Sequence, residues 1–345
     1  MRSVLTQTVR YGAKALLIAG LATSATLGVP TDRAAAQTER GVPYLTVRDR
    51  ISDDEGYYGD ERSTLKGGKC IIDPVSLDFL SGAAELAPFR VPEEILRVGG
   101  IKELPVEDVF EGLQTETPLL YVHGYYVGFD KGCRRATAYM ENVDVEDQFL
   151  WFTWPSEDSL ISYARDEINL YWSVPELAGV ITKLHDRFGP GSVDLTGHSL
   201  GGRGLTLALY EIAGTRPDLR FNHVVLLAAD MDFGIFQKML PRIRPLARSI
   251  TIYKSSGDKA LDISEQLHSY PRLGQSGNPV ENLEGVEVID VSDQPMMSAN
   301  GHLYHIYNSE VGADLSRLVN DNMLAGQRPG LEQMGPNLWS LKPKR

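Results

Sequence analysis

The stretch from Ser192 to Ala213, SVDLTGHSLGGRGLTLALYEIA, carries the strongest architectural signal in the chain. Its first residues, SVDLT, form a short apolar run typical of a buried strand. From Leu200 onward, apolar residues recur at helical spacing. Between the two lies Gly197–Gly201 (GHSLG), a G-x-S-x-G sequence that matches a nucleophile elbow when a strand precedes it and a helix follows it. The pattern therefore predicts that Ser199 stands on a sharp turn at the carboxyl edge of a parallel sheet.

The chemistry of such a turn explains the residues around the serine. Small residues at Gly197 and Gly201 are needed because the backbone passes close to neighbouring strands. The backbone N–H of Leu200 would lie at the helix N-terminus, where the helix dipole favours a developing negative charge. We interpret Ser199 as a nucleophile and Leu200 as an oxyanion donor. The competing interpretation is a serine that only caps the helix.

A second oxyanion donor is expected from the loop after an earlier strand, PLLYVH. There the chain reads His123-Gly124-Tyr125-Tyr126, and the glycine would leave the backbone N–H of Tyr125 available. An ordinary glycine turn leading into the next helix would use the same residues. We predict Tyr125 as the second donor.

From residue 118 onward, short apolar runs alternate with longer amphipathic stretches, which predicts βα units and a doubly wound, mostly parallel sheet flanked by helices. Combined with the elbow at Ser199, such a sheet predicts the α/β-hydrolase class of fold. The predicted strands are Pro118–His123, Gln148–Thr153, Ser192–Thr196, His223–Ala228, Ser249–Lys254 and Val286–Val291. The predicted helices are Lys131–Val143, Glu167–Phe188, Leu200–Ala213, Ala260–Tyr270 and Val311–Leu324.

The remaining segments are less periodic. Residues 37–117 predict leading strands, among them Lys69–Asp73, and a segment that covers the sheet. Residues 37–326 are expected to form one domain, because α/β proteins of this length commonly have a single core. The segment 327–345 is rich in Pro and Gly and predicts an extended tail along the surface.

A serine nucleophile needs a base, and in this fold the triad runs in the order serine, acid, histidine. Only His302 and His305 follow the last predicted strand. His302 comes after Gly301 in a loop that can reach over the sheet edge, and we predict it as the base. His305, in the apolar segment LYHIY, is the alternative.

The acid must orient that imidazole from the end of a later strand. Asp258 follows SITIYK through Ser255-Ser256-Gly257, and we predict it as the acid. Asp230 and Asp232 end the preceding strand, and Asp230 is the main alternative. A carboxylate that is not the acid would be solvated or would cap a helix.

Residues 1–36 are typical of a secretory signal peptide: a basic start, an apolar run broken by small polar residues, and the cleavage site Ala34-Ala35-Ala36. Cleavage predicts a mature, exported chain that starts at Gln37 and has no stable membrane insertion. It would remove four cations and one anion, so the net charge would move from −12 to −15. Such acidity argues against nucleic acid as a partner.

Two further features bear on chemistry. Cys70 and Cys133 are compatible with one disulfide in an oxidising compartment or with two buried thiols, and the sequence does not choose between them. The seven histidines show no H-E-x-x-H or comparable ligand spacing, so we expect neither a metal nor a cofactor.

Several ordered blocks resemble a family of bacterial α/β hydrolases catalogued as a domain of unknown function. They are YYGDERS, GGKCIIDP, VHGYYVGFDKGCRRAT, FTWPS, YARDE, TGHSLGGRG, LLAADMDF, ITIYKSSGDKALDIS, RLG and GHLYHIYNS. The resemblance spans residues 57–320 and implies the α/β-hydrolase fold with a serine-type triad on Ser199, Asp258 and His302. It implies no substrate. Many members have Met in place of Leu200 and Tyr-Asn in place of Tyr125-Tyr126, and the second difference leaves a backbone donor in place.

The predicted activity is hydrolysis of a small-molecule carboxylic ester through an acyl-enzyme. A thioester or an amide would use the same triad, and a non-catalytic binding protein could keep the same fold. Aromatic residues near the predicted loops indicate an apolar or aromatic pocket, although each could equally belong to the core. These residues are Tyr125, Tyr126, Phe129, Trp154, Tyr163 and Tyr171.

Overall fold

The computed structural model describes residues 41–73, 96–159, 161–295, 298 and 300–344. The predicted signal peptide lies outside these residues. The strands are β1 (Gly41–Arg50), β2 (Tyr58–Asp73), β3 (Arg97–Leu104), β4 (Leu119–Val122), β5 (Phe149–Thr153), β6 (Asp194–His198), β7 (Phe221–Leu227), β8 (Ala247–Lys254), β9 (Val286–Asp290), β10 (Leu331–Gln333) and β11 (Leu338–Leu341). The helices are α1 (Val106–Glu111), α2 (Phe129–Val143), α3 (Tyr163–Phe188), α4 (Leu200–Thr215), α5 (Phe233–Ile243), α6 (Lys259–His268), α7 (Tyr304–Tyr307) and α8 (Ser309–Val319).

Within the described residues, these strands form one sheet in the order β10-β11-β9-β8-β7-β6-β4-β5-β1-β2-β3. The pairings from β11 through β9, β8, β7, β6, β4 and β5 to β1 are all parallel. Antiparallel pairs close both edges, β10 with β11 and β1 with β2 with β3. The carboxyl ends of the parallel strands therefore meet at one sheet edge, where loops can assemble a site.

Helices cover both faces of the sheet. Successive residues of a strand point to opposite faces, so each strand contributes side chains to two separate cores. In β7, Val224 and Leu226 pack with the core that includes α3, α4 and α5, whereas Val225 and Leu227 pack with the core that includes α2 and α8. Each face thus buries its own apolar core, as the near-continuous apolar strands require. The predicted fold, a doubly wound and mostly parallel sheet, is confirmed.

The structure adds elements that the sequence pattern does not reveal. Helix α5 contains Pro241, a residue that usually ends a helical pattern. The N-terminal segment supplies the predicted leading strands at one edge of the sheet, and the predicted strand Lys69–Asp73 is the end of β2, which begins eleven residues earlier at Tyr58. The expected surface tail from Gln327 instead supplies β10 and β11, because its apolar residues Leu338 and Leu341 pair with and pack against the edge beside β9.

The question of the two cysteines has a structural answer. Cys70 on β2 and Cys133 on α2 form a disulfide with a Cα–Cα distance of 6.5 Å, and both are fully buried. The bond joins the leading strands to the helix that follows the predicted oxyanion loop. No helix among the described residues combines the length and apolarity needed to cross a membrane.

Candidate active site

Ser199 occupies the sharp turn between β6 and α4, with φ 54° and ψ −123°. A positive φ is rare for a residue with a side chain and marks local strain that the surroundings must hold in place. The serine N–H donates to the carbonyl of Leu227 at the end of β7, and its own carbonyl accepts from the N–H of Asp230. Backbone bonds to the neighbouring strand therefore fix the strained conformation.

Close backbone approaches explain the glycines of this turn. A Cβ added at Gly201 would lie 2.3 Å from the carbonyl oxygens of Val122 and His123, and one added at Gly197 would lie 2.7 Å from Gly202 Cα. Contacts this short do not occur with real Cβ atoms, and a backbone atom cannot move aside as a side chain can. The helix can start directly beside β4 only because these positions lack side chains.

Asp258 and His302 form a buried acid–base pair at the same sheet edge. The Nδ1 of His302 lies 2.7 Å from Oδ2 of Asp258. The other oxygen, Oδ1, accepts the N–H groups of Ala260 and Leu261, both at 3.1 Å, and so caps helix α6. The carboxylate is thereby held from both sides, and its acceptor oxygen places the ring proton on Nδ1 and leaves Nε2 without one.

The imidazole of His302 lies next to the nucleophile turn. The ring centroid of His302 is 4.5 Å from that of His198, the residue before Ser199. The backbone carbonyl of His302 accepts a hydrogen bond from Nε2 of His198 at 3.1 Å. Although Ser199 and His302 are both described, the structure contains no hydrogen bond from the serine hydroxyl to the ring. In hydrolases without substrate such bonds are often long and tighten only in the complex.

His305, the alternative base, is enclosed. It is fully buried, its ring packs at a tilt against that of His198 with centroids 4.1 Å apart, and its Nδ1 has no hydrogen-bond partner among the described residues. Burial lowers the pKa of His305 well below its usual value. No carboxylate among its described hydrogen-bond partners orients this ring, so the geometry favours His302.

Asp230, the alternative acid, is engaged elsewhere. Its carboxylate accepts from Arg272 Nε at 2.8 Å, Ser264 Oγ at 2.6 Å and the Tyr163 hydroxyl at 2.6 Å, and it lies 3.3 Å from Nη2 of Arg203. Burial acts to raise the pKa of Asp230, but the two guanidiniums hold it below its usual value. This carboxylate has an ion-pair role behind the elbow and does not bond to either candidate base.

Asp232, the remaining carboxylate after β7, caps helix α5. Its side chain accepts the N–H of Ile235 at 2.7 Å. This is the helix-cap role that the sequence leaves open for a carboxylate that does not act as the acid.

The predicted oxyanion donors flank Ser199. Leu200 is the first residue of α4, so its N–H has no acceptor within the helix. On the other side, a Cβ added at Gly124 would lie 2.7 Å from Cβ of Ser199. The loop that carries Tyr125 therefore runs directly over the nucleophile, and only a glycine fits at that contact.

The predicted aromatic rim is only partly present. Phe129 and Trp154 are 2% and 0% exposed, so of the two interpretations open for them, pocket or core, the core one is correct. Tyr125 and Tyr163 are half-buried with ring centroids 5.1 Å apart, and Tyr171 is exposed. The aromatic surface near the turn is consequently smaller than the sequence predicts.

Sequence reasoning missed the polar residues behind the oxyanion loop. Asp166 is fully buried and accepts hydrogen bonds from Ser156 Oγ and from the backbone N–H of Glu157, while Arg165 pairs with other carboxylates on the surface. Burial raises the pKa of Asp166 to about 7, although Ser156 and the charge of Arg48 act to lower it. No pattern along the chain links Arg48 to Asp166, because the two lie on different elements that meet only in the fold.

Residues 106–321 match the model of a protein family described as alpha/beta hydrolase of unknown function, DUF900. The matched range contains the elbow, the acid–base pair and the loop after β4. No curated protein matches the chain. No group of three His, Cys, Asp or Glu residues within the described chain is placed to hold a metal ion.

Solved structures resemble the chain weakly. A protein of Lactobacillus plantarum WCFS1 named putative cell surface hydrolase is 15% identical, and the match covers 60% of this chain and 92% of that chain with a TM-score of 0.39. The lin2722 product of Listeria innocua is 10% identical, with 66% and 99% covered and a TM-score of 0.39. Est1E from Butyrivibrio proteoclasticus is 11% identical, with 59% and 88% covered and a TM-score of 0.37. Likeness at this level carries no argument about activity.

Proposed function

The chain belongs to this family of α/β hydrolases of unknown function, and from that premise we propose that it is a serine hydrolase that cleaves carboxylic esters through an acyl-enzyme. The observation that carries the proposal is the buried Asp258–His302 pair, 2.7 Å apart, whose ring lies beside the turn bearing Ser199. The proposed roles are Ser199 as nucleophile, His302 as base and Asp258 as the residue that orients it.

In the first half of the reaction, Ser199 Oγ attacks the ester carbonyl and its proton passes to Nε2 of His302. Asp258 accepts the Nδ1–H, which fixes the tautomer and stabilises the imidazolium. The negative charge that forms on the carbonyl oxygen is stabilised by the backbone N–H groups of Leu200 and Tyr125. The imidazolium then returns the proton to the leaving alkoxide, and the acyl group stays on Ser199.

In the second half, a water molecule donates its proton to Nε2 of His302 and attacks the acyl carbonyl. The carbon–oxygen bond to Ser199 then breaks, and the proton returns to the serine oxygen. The net reaction is ester plus water to carboxylic acid plus alcohol. A thioesterase or an amidase would follow the same steps with a different leaving group, so a panel of matched p-nitrophenyl esters, thioesters and anilides decides the leaving group.

The test is covalent labelling with a fluorophosphonate, which reacts with an activated serine. We expect the wild type to be labelled and Ser199→Ala to remain unlabelled and without esterase activity. Ser173→Ala is the matched control, because Ser173 is also a buried serine but its hydroxyl, within the described part of the chain, donates to Asn169 O inside α3. A folded wild type that resists labelling would contradict the proposal and favour a binding protein that has kept the fold.

We also propose that the chain is exported, on the strength of residues 1–36 together with the Cys70–Cys133 disulfide. Structural disulfides persist in oxidising compartments and are rare in the cytosol. The expected observation is a mature N-terminus at Gln37 in the periplasmic or secreted fraction, read by N-terminal sequencing. An uncleaved chain recovered from the cytosol would contradict export.

A further inference from the structure

Residues Gly124–Val127 form the oxyanion loop. Buried side chains on the side away from the substrate form hydrogen bonds to its backbone. Tyr126 in this loop has φ 62°, a conformation that a residue with a side chain adopts only when its surroundings impose it. The groups that impose it come from β1, from the end of β5, from the segment after β5 and from the start of α3. The nucleophile motif predicts none of these groups.

His123 holds the first peptide of the loop, and its hydrogen bonds define its tautomer. The backbone N–H of Trp154, which can only donate, lies 3.2 Å from Nε2 of His123, so Nε2 is the acceptor. The ring is neutral, since burial lowers the pKa of His123 well below its usual value. The proton therefore sits on Nδ1, which donates to the carbonyl of Gly124 at 2.8 Å. Thr153 Oγ1, 3.0 Å from Nε2, accepts from Arg48 Nε and donates to the ring.

The direction of this bond matters for the site. Strand β4 lies between β5 and β6, and the His123 ring packs on the β5 side, against Thr153 and Trp154. The Gly124 carbonyl consequently points toward β5. In a trans peptide the N–H of the next residue points the opposite way, so the N–H of Tyr125 is directed to the β6 side, where Ser199 stands.

Two more hydrogen bonds hold the far end of the loop, and a third one supports them from behind. The backbone N–H of Val127 donates to Ser156 Oγ at 3.2 Å. The backbone of Tyr126 lies near enough to the carboxylate of Asp166 to lower the pKa of Asp166, against the larger rise caused by burial. Ser156 Oγ in turn donates to Asp166. The carbonyl of Val127 accepts from Arg48 Nη2 at 2.6 Å.

We infer that Arg48, His123, Thr153, Ser156 and Asp166 form a polar clamp that positions the Tyr125 N–H for the transition state, an inference that rests on the proposed serine hydrolase activity. The clamp residues are positioning residues, because they act on the substrate oxygen only through the loop backbone. All five are at most 1% exposed, so water does not compete for their bonds. An oxyanion donor stabilises a transition state only if it is already aimed when charge develops.

His123 offers the sharpest test. His123→Leu has a similar volume but no donor for the Gly124 carbonyl, whereas His123→Asn keeps an N–H donor near the position of Nδ1. We expect kcat at pH 8 to fall about 10- to 100-fold in His123→Leu, below the 10²–10³ that losing an oxyanion donor costs. Because the loop acts in the transition state, KM should change by less than about threefold. His123→Asn should recover most of the loss.

A second readout separates positioning from general damage. A trifluoromethyl ketone forms an adduct with the nucleophile that carries an oxyanion, so its affinity should fall by the same factor as kcat/KM. Asp166→Asn tests the other arm of the clamp and should behave like His123→Leu. The matched control is Asp314→Asn, since Asp314 is equally buried beside an arginine, Arg328, yet makes no hydrogen bond to the loop within the described chain. We expect Asp314→Asn to lower the melting temperature but to keep kcat and ketone affinity.

The outcomes separate the two proposals. Failure of the wild type to react with a fluorophosphonate would defeat the proposed activity itself. If the wild type reacts, but folded His123→Leu and Asp166→Asn keep wild-type kcat and ketone affinity, the clamp is overturned while the activity stands. If His123→Leu does not fold, Asp166→Asn and Thr153→Val carry the same test.

Discussion

The substitution Asp258→Asn probes the proposed triad while leaving the local fold intact. In the wild type, Oδ1 of Asp258 accepts the Ala260 and Leu261 N–H groups and Oδ2 accepts Nδ1–H of His302. In the variant, the amide oxygen must take the helix cap, because an NH2 group cannot accept. The amide nitrogen then faces His302 and donates to Nδ1, which drives the ring proton to Nε2.

A base in that tautomer cannot take the proton of Ser199. The expected loss in kcat is about 10⁴-fold for a histidine held in the wrong tautomer, or about 5 kcal/mol of transition-state free energy. Stability should change by less than about 1 kcal/mol, because the helix cap remains. The assay is p-nitrophenyl butyrate hydrolysis at pH 8, with the melting temperature measured by circular dichroism.

Two neighbouring carboxylates serve as comparisons. Asp232→Asn alters a cap of the same kind on α5 and should keep full activity. Asp230→Asn removes the buried negative charge that pairs with the guanidiniums of Arg203 and Arg272. It should therefore lower the free energy of unfolding and have a smaller effect on kcat. The reasoning is refuted if folded Asp258→Asn retains kcat within about tenfold of wild type, or if Asp230→Asn rather than Asp258→Asn removes the activity.

Three further changes have defined outcomes. Gly124→Ala would place a Cβ 2.7 Å from Cβ of Ser199, so we expect esterase activity and fluorophosphonate labelling to be lost, while Gly100→Ala, with no atom within 4 Å of the added Cβ, keeps both. Burial raises the pKa of Asp194 to about 7, so this carboxyl stabilises the fold below its unfolded value near 4 and loses that contribution as pH rises to about 7. Denaturant titrations should therefore show Asp194→Asn gaining stability relative to wild type between those pH values, and a constant difference would contradict the shift. Replacing Cys70 and Cys133 by alanine removes a cross-link between residues 63 positions apart and should lower the free energy of unfolding by about 4 kcal/mol. Urea titration of the variant, compared with reduced and oxidised wild type, measures this loss. A variant as stable as the oxidised wild type would contradict it.

Local patterns along the chain were sufficient for the central architecture. The apolar runs from PLLYVH to VEVID became β4 to β9, and the helical periods between them became α2, α3, α4 and α6. These signals are reliable because a strand covered on both faces must be apolar throughout, and an elbow requires glycine at fixed spacing. The weaker patterns failed where packing outweighs local preference, at α5 with its internal proline and at β10 and β11, the strands of the C-terminal edge.

The same distinction, between local spacing and contacts set by packing, applies to the residues of the site. Ser199, Leu200 and the glycines around them were readable because one turn carries them all, and their spacing is a local property of the backbone. Asp258 and His302 were preferred over Asp230 and His305 because of their order along the fold. Their contact, the disulfide, and the clamp from Arg48 to Asp166 depend on side chains far apart in sequence. Their distances are set by how the sheet orders its strands and how the loops close over its edge, and no periodicity along a chain encodes such a distance.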